Sequence, residues 1–548
     1  MKKVLLIGYF AMSALISSAQ LTEKEQFDIA KNLDVYNALF KELSMFYVDS
    51  IAPEKTIEEN IYFMLRRLDP YTEYIPGKDL QNFMVQITGE YGGIGALITS
   101  DSNKVIISEP YLGMPAAEAG LQAGDVLLEI DGEKLDGKNS QFASERLKGQ
   151  PNTSLKLKIL RPGEKKAREL AIIRKRIELD PITYYTVRPD GIGYIYFSDF
   201  TARSAAKVRN ALDDMKKNHS LKGIIFDIRD NGGGVVEDCI EILNYFIPKG
   251  ELLLTMKGKT QRLDRVYYTQ QQATDTVIPL VALVNGQSAS ASEIFSGAMQ
   301  DLDRGVIVGE RTFGKGLVQA SRQLPYGGQL KLTTAKYYIP SGRCIQAIDF
   351  SHRNENGSVS HIPDSLTSTF YTSNGRPVKD GGGITPDYIV EEPELPTMFY
   401  YLSPGRQFFD FVVQWRIKHP KIASPEEFVL TDDIYEEFAA FLKARNFDYD
   451  RQSEKVINNL REVMEIEGYM DSASEEFKAL ENKLKPDLDK DLERYKVQIS
   501  NYLAMEIMKQ YYLAKGEKIY SLRHDKAFDK AVEILSDSAL YSNTFTAP

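Results

Sequence analysis

The chain has 548 residues, too many for a single hydrophobic core, so three or four domains are expected. Its 43% hydrophobic and 26% charged residues are ordinary for globular protein. A net charge of −10, with no Lys/Arg block, gives no support to nucleic-acid binding. Two cysteines, Cys239 and Cys344, lack metal-like spacing. They are expected to be free, largely buried thiols, with a disulfide between them left open.

Residues 1–19 read as a secretory signal. Lys2 and Lys3 give a positive end, residues 4–16 an apolar segment, and Ser17-Ser18-Ala19 a small-residue cleavage site. Gln20 would begin the mature chain, with no cysteine there for lipid attachment. The apolar run is short for a membrane anchor. The expectation is an exported protein, periplasmic or extracellular, with no transmembrane segment after signal removal. Residues 20–86 carry a helical pattern: Phe27, Ala30, Leu33, Tyr36, Leu39, Phe40 and Leu43 recur at three- and four-residue intervals. A second helix is predicted over residues 56–68, broken by Leu68-Asp69-Pro70-Tyr71-Thr72. Nothing in this region has the look of catalysis.

Residues 87–177 change to short strands and turns. Tyr91-Gly92-Gly93-Ile94-Gly95-Ala96-Leu97 leads, followed by Pro115-Ala116-Ala117-Glu118-Ala119-Gly120-Leu121 and Gly124-Asp125-Val126-Leu127. This order resembles a PDZ domain of the circularly permuted type found in bacterial proteases. Backbone N–H groups around Gly93, Ile94, Gly95 and Ala96 can form a nest for a chain-terminal carboxylate, and the peptide would then add as a strand to the sheet edge. Leu147, on a second predicted helix over 140–147, is a candidate groove residue.

Strands and helices alternate from Ile192 to Met299, which argues an α/β core with at least partly parallel strands. Ile192 to Phe197 is predicted as a strand, with Thr201 capping an amphipathic helix to about Asn218. A buried strand over 223–229 runs into Asp230-Asn231-Gly232-Gly233-Gly234. No Lys-Ser/Thr follows these glycines, so a phosphate loop is not expected.

The stretch with most chemistry is 285–319. Ser288-Ala289-Ser290-Ala291-Ser292 lies where an apolar strand over 280–284 hands over to a helix marked by Ile294, Phe295, Ala298 and Met299. Unpaired N–H groups at a helix start suit a developing oxyanion, and alanines let a substrate backbone approach. None of the five histidines lies here, but Lys315 stands between Gly314 and Gly316. Burial would disfavour its ammonium form and let it act as a base. In an extended segment Lys315, Leu317 and Gln319 share a face, so Gln319 could hold the amine without adding charge.

These motifs resemble the carboxyl-terminal processing peptidases, or tail-specific proteases, over about residues 56–390. The resemblance implies Ser290 as nucleophile, Lys315 as base, Gln319 assisting the lysine and Asp301 in a supporting role. Asp301 taken alone reads as a surface acid at a helix end. The resemblance also implies an oxyanion hole from the N–H groups of Gly233, or Gly234, and Ala291, where one such donor contributes roughly 3–4 kcal/mol. It further makes the Leu-Asp-Pro turn the end of a helical segment that packs on the core or forms a dimer. Gly382-Gly383-Ile384-Thr385-Pro386-Asp387 matches the family's closing motif, whereas Ile339 and Cys344 depart from its usual threonine and serine.

Between these motifs, the polar run 352–380 reads as a long loop or flexible insertion. After it, Ser424-Pro425-Glu426-Glu427 reads as a helix start in a charged helical region. The fold expected is α/β multidomain: signal 1–19, helical region 20–86, inserted, mostly β PDZ domain 87–177, α/β serine peptidase core 178–393 and helical domain 394–548. The function expected is an exported serine endopeptidase that holds a substrate's free C-terminus on its PDZ domain and cuts upstream through an acyl-enzyme. No metal or organic cofactor is called for; partners are protein or peptide substrates, with an adaptor or a homo-oligomer open. The alternative is a catalytically silent PDZ scaffold, which would have no need to keep Ser290, Lys315 and Gln319 together.

Overall fold

A computed structural model describes residues 22–354, 357–484 and 487–547. The signal assigned to residues 1–19 lies outside them. The described chain forms two compact units that interleave along the sequence. One holds the residues up to Gly89, Tyr185–Val390 and those from Lys530 onward; the other holds Glu90–Tyr184 and Glu391–Asp529. No helix among the described residues is long and apolar enough to cross a membrane.

The first unit is built on a sheet whose strands Ile192–Tyr196, Gly223–Asp227, Leu280–Val284, Val306–Gly309 and Tyr388–Ile389 run parallel in that order. Leu280–Val284 and Gly223–Asp227 are buried at every position, as their apolar runs 280–284 and 224–226 require of central strands. Helices Ser204–Asn218, Val236–Asn244 and Ala291–Asp301 connect them. The first begins at Ser204 behind Arg203 with φ 73°, not behind Thr201. Asp238 of the neighbouring helix supplies the cap, accepting from Ala205 N–H (3.0 Å) and Ser204 Oγ (3.3 Å).

A second, antiparallel sheet lies in the same unit. Its longest strand, Gln329–Tyr338, pairs with Leu317–Gln323, Leu252–Gly258 and Glu73–Ile75. The last is a correction to the helical reading of residues 20–86. Helices Glu23–Phe46, Pro53–Arg66 and Leu80–Thr88 are present, but three residues after the Asp-Pro turn extend and join the sheet. So short a segment carries no periodicity of its own. The polar run 352–380 is likewise not a bare loop: Ser360–His361 pairs with Ile348–Asp349, and Thr369–Tyr371 with Pro377–Lys379.

In the second unit, strands order as Ala96–Asp101, Lys104–Pro110, Val126–Ile130, Ser154–Leu160 and Arg168–Ile173, all antiparallel. Ala96–Asp101 is one of the two edge strands, and helix Ser140–Leu147 packs beside it. Arg174 caps that helix by donating to the carbonyls of Arg146 (2.7 Å) and Leu147 (3.1 Å).

The helices of this unit share an aromatic core that includes Phe408, Phe411, Trp415, Phe438 and Leu503. They also brace the small β-sheet. Arg416 donates to Gln122 (2.8 Å), and a Cβ at Gly124 would meet Val413 at 2.7 Å. The Ser-Pro-Glu-Glu motif forms a turn, with Phe428 N–H donating to the Ser424 carbonyl, and the helix starts later, at Asp432. Cys239 and Cys344 are free thiols; Cys239 is buried and Cys344 half-buried.

Candidate active site

The site lies at the ends of strands Gly223–Asp227 and Leu280–Val284, where the chain turns sharply into helix Ala291–Asp301. Ser290 occupies the turn with φ 57° and ψ −113°. That backbone is outside the regions open to ordinary L-residues and costs of order 1–3 kcal/mol. It is the strand–turn–helix geometry that presents a side chain at the end of a sheet. The neighbouring serines are spent on structure: Ser288 Oγ donates to the Ile228 carbonyl (2.8 Å) and Ser292 Oγ to that of Asn231 (2.8 Å). Both are buried, whereas Ser290 is partly exposed.

The glycine turn after Asp227 is stitched to the serine loop. Asp227 is buried and accepts from Arg229 Nη2 (2.6 Å) and Tyr194 Oη (2.7 Å). Asn285 and Asp230 exchange hydrogen bonds, and Ala289 N–H donates to the Asn231 carbonyl (3.1 Å). Gly233, with φ +99°, lies so close that a Cβ would sit 2.6 Å from the Ala289 carbonyl oxygen and 2.8 Å from Ala291 N. Only glycine fits there. Of the two expected oxyanion donors, Ala291 N–H opens its helix and is spare by construction. Gly233 N–H donates to Asn231 Oδ1 (2.9 Å) in this structure.

Two buried side chains bring Ser290 and Lys315 together. Glu293, fully buried in the first turn of the helix, accepts from Ser290 N–H (2.9 Å) and Lys315 N–H (2.8 Å) through one oxygen. Its other oxygen takes Gly314 N–H (2.7 Å) and Thr312 Oγ1 (2.6 Å). The Tyr337 hydroxyl donates to the Lys315 carbonyl and reaches that of Ser290 at 3.1 Å. Neither residue stood out in the sequence. Glu293 has the signature of an ordinary first-turn acid, and Tyr337 that of a strand aromatic.

Lys315 is half-buried, and its pKa is lowered to about 8. Desolvation is the main cause, Lys331 adds to it, and Glu293, Glu73 and Asp69 oppose it. Gln319 lies four residues on, past a ladder shift between Val318 and itself. Its Nε2 donates to the Leu317 carbonyl (3.2 Å) and Thr333 Oγ1 (3.2 Å) rather than reaching the amine.

Asp301 is at the other end of the helix, roughly 16 Å from Ser290 at 1.5 Å per residue. It is buried, not a surface acid. It pairs with Arg343 (2.8 Å) and accepts from Ser341 N–H (3.0 Å), which ties the helix end to the segment after the long strand.

Gly93 ends the strand Glu90–Gly93, which pairs with Lys175–Glu178, and Ala96 opens an edge strand of the small β-sheet. Between them Ile94 is buried, its carbonyl accepting from Ala116 N–H (2.8 Å). Gly95 has φ +72°, and a Cβ there would meet Met114 at 2.5 Å. Leu147 is buried in the core of this sheet.

Comparison with known proteins agrees with this architecture. The profile of Peptidase family S41 matches residues 191–352, a PDZ domain profile matches 106–161, and one described as a probable PDZ-protease C-terminal helical domain matches 398–535. The carboxy-terminal-processing protease of Bartonella bacilliformis is 33% identical over 397 residues, 72% of this chain and 82% of its own length. Carboxy-terminal processing protease CtpB of Bacillus subtilis is 31% identical over 318 residues, 58% of this chain and 66% of its own. A solved photosystem II D1 C-terminal processing protease is 26% identical and covers 65% of this chain and 87% of its own, with a TM-score of 0.35. The chain belongs to the carboxy-terminal processing proteases of peptidase family S41 and is a serine-type peptidase with a PDZ domain.

Proposed function

We propose that the protein is an exported endopeptidase in which Ser290 is the nucleophile and Lys315 its general base, working through an acyl-enzyme. The observation that carries this is the Glu293 oxygen shared by the N–H groups of Ser290 and Lys315. It holds a strained, partly exposed serine next to a lysine whose pKa is lowered to about 8.

Neutral Lys315 takes the Ser290 proton as Oγ attacks a peptide carbonyl, then returns it to the leaving amine. Water hydrolyses the acyl-enzyme by the same route in reverse. The developing alkoxide is held by Ala291 N–H and by Gly233 N–H, which exchanges Asn231 Oδ1 for the substrate oxygen. Gln319 orients the lysine side of the site through the Leu317 carbonyl and Thr333. Asp301 supports the site at a distance by fixing its helix through Arg343.

The substrate's C-terminal carboxylate is bound at the turn formed by Gly93, Ile94, Gly95 and Ala96. Its last residues add to the free edge of Ala96–Asp101 beside helix Ser140–Leu147. Export rests on residues 1–19, which read as a signal. The test is an unfolded reporter protein with an apolar C-terminal tail, given to wild type and Ser290→Ala. The same reporter with an acidic or amidated tail end runs alongside. Cleavage that needs Ser290 and weakens with the altered tail is expected. Cleavage that survives Ser290→Ala would sink the assignment. Peptide binding without cleavage by wild type would favour a silent scaffold.

A further inference from the structure

The Asp-Pro-Tyr turn before the strand Glu73–Ile75 reaches the site. Lys315 Nζ lies over the ring of Tyr71, 4.6 Å from its centre. The same ring meets Phe350 edge-to-face, with centroids 5.9 Å apart and planes at 88°. The turn itself is rigid. Buried Asp69 accepts from Tyr71 N–H (2.8 Å), Thr72 N–H (2.7 Å) and Thr72 Oγ1 (3.0 Å). Thr72 Oγ1 also accepts from Thr333 N–H (3.2 Å), and Thr333 Oγ1 is the acceptor of Gln319 Nε2. Tyr71 is therefore fixed from its own turn, from Phe350 and from the strand that carries Gln319's partner.

We propose that Tyr71 is a positioning residue for Lys315, its ring capping the amine end of the side chain and keeping water from it. This rests on Lys315 being the base of the proposed dyad. An aromatic ring suits the task because it covers the amine without a full negative charge. A carboxylate in that place would hold the ammonium protonated. The charged groups that face Lys315 are Lys331 from the long strand, Glu293 from the helix, and Glu73 and Asp69 from the N-terminal segment. Tyr71 is the neutral one among them: burial, helped by Glu293 and Asp69, pushes its phenol up to about 12. The π face attracts an ammonium by only about 0.5–2 kcal/mol. Desolvation is the largest influence on Lys315, and the ring 4.6 Å from its amine is part of the cover that the proposal sets against that attraction.

The test uses the full chain with Tyr71→Phe and Tyr71→Ala. One readout is the pH profile of kcat/KM on the unfolded reporter. The other is the pH dependence of Lys315 acetylation by dilute acetic anhydride in a Ser290→Ala background, read by mass spectrometry. Tyr71→Phe should keep the wild-type profile in both. Tyr71→Ala should move the acid limb and the labelling curve alkaline by about one unit, with about tenfold lower kcat/KM below the limb, recovered at high pH. Unmoved limb and labelling in Tyr71→Ala would overturn the proposal, as would equal damage by Phe, which would put the function in the hydroxyl. Labelling does not require turnover, so it reads Tyr71's effect even if Lys315→Ala stays active. That last result would instead refute the dyad.

Discussion

At the scale of single residues, the proposed mechanism turns on the protonation of one lysine. Lys315 must be neutral to accept a proton, and its pKa is lowered to about 8. Activity is therefore lost as pH falls through that value and gained as it rises, and kcat/KM should show an acid limb near pH 8. Lys331 holds Lys315 down electrostatically and pairs with Glu73 (3.2 Å). Replacing it by methionine removes a positive neighbour and frees a negative one, so the limb should move alkaline; a pH profile of Lys331→Met decides this. Glu293 is the second lever. A glutamine there would set an NH₂ against N–H donors, leaving buried groups unpaired at roughly 1–3 kcal/mol each. Glu293→Gln should lower kcat at least tenfold, measured on protein whose circular dichroism is unchanged. The strand–helix turn at Ser290 was legible because a run of small residues between an apolar strand and an apolar helix is unusual. Glu293 was not, since only the fold brings residues 312–315 over the first turn of its helix.

At the scale of elements, apolar runs and glycine turns carried most of what the sequence could show. The buried strands over 280–284 and 223–227, and the helix after Ser290, stand where their patterns put them. Two-residue and three-residue strands were invisible because pairing, not periodicity, makes them. Asp301 reads as an exposed acid until Arg343, 42 residues later, is found beside it. One element carries its own pH sensitivity. The long helix Lys496–Ser521 breaks at Leu513, and the Ala514 N–H donates to Glu109 of the PDZ segment (3.3 Å). Two turns earlier, Glu506 is half-buried with its pKa raised to about 7 by desolvation, despite Gln510 Nε2 at 2.7 Å. A raised carboxyl pKa means the native state holds the extra proton. Stability of this unit should therefore fall as pH rises from about 4.5 to 7 and stay lowered above it. Glu506→Gln should raise Tm at pH 8 and flatten that dependence, as thermal melts across pH would show. Gly95→Ala, with φ +72° and a Cβ 2.5 Å from Met114, should weaken binding of C-terminal peptides without changing Lys315 chemistry; peptide-binding titration reads the first and the acid limb the second.

At the scale of the whole molecule, the chain gives each unit pieces from distant parts of the sequence. Tyr541 accepts from Leu280 N–H (3.0 Å), and Leu535 fills the space a side chain at Gly223 would need. The N-terminal helix Glu23–Phe46 starts with a Thr22–Glu25 capping box yet buries none of its residues, leaving Phe27, Leu33, Leu39 and Phe46 exposed. An exposed apolar face of that size is a candidate protein contact, and we propose a second copy of the chain as its occupant. Light scattering should give a mass above the monomer that falls with Leu33→Glu; a monomeric wild type would remove the homo-oligomer from the account.

The most direct measurement is covalent labelling of the intact protein by a fluorophosphonate, mapped by mass spectrometry, with rates taken from pH 6 to 10. The account predicts a single label on Ser290, formed faster as pH rises through about 8, and little labelling in Lys315→Ala. A label on another residue, or an unchanged rate in folded Lys315→Ala, would contradict it.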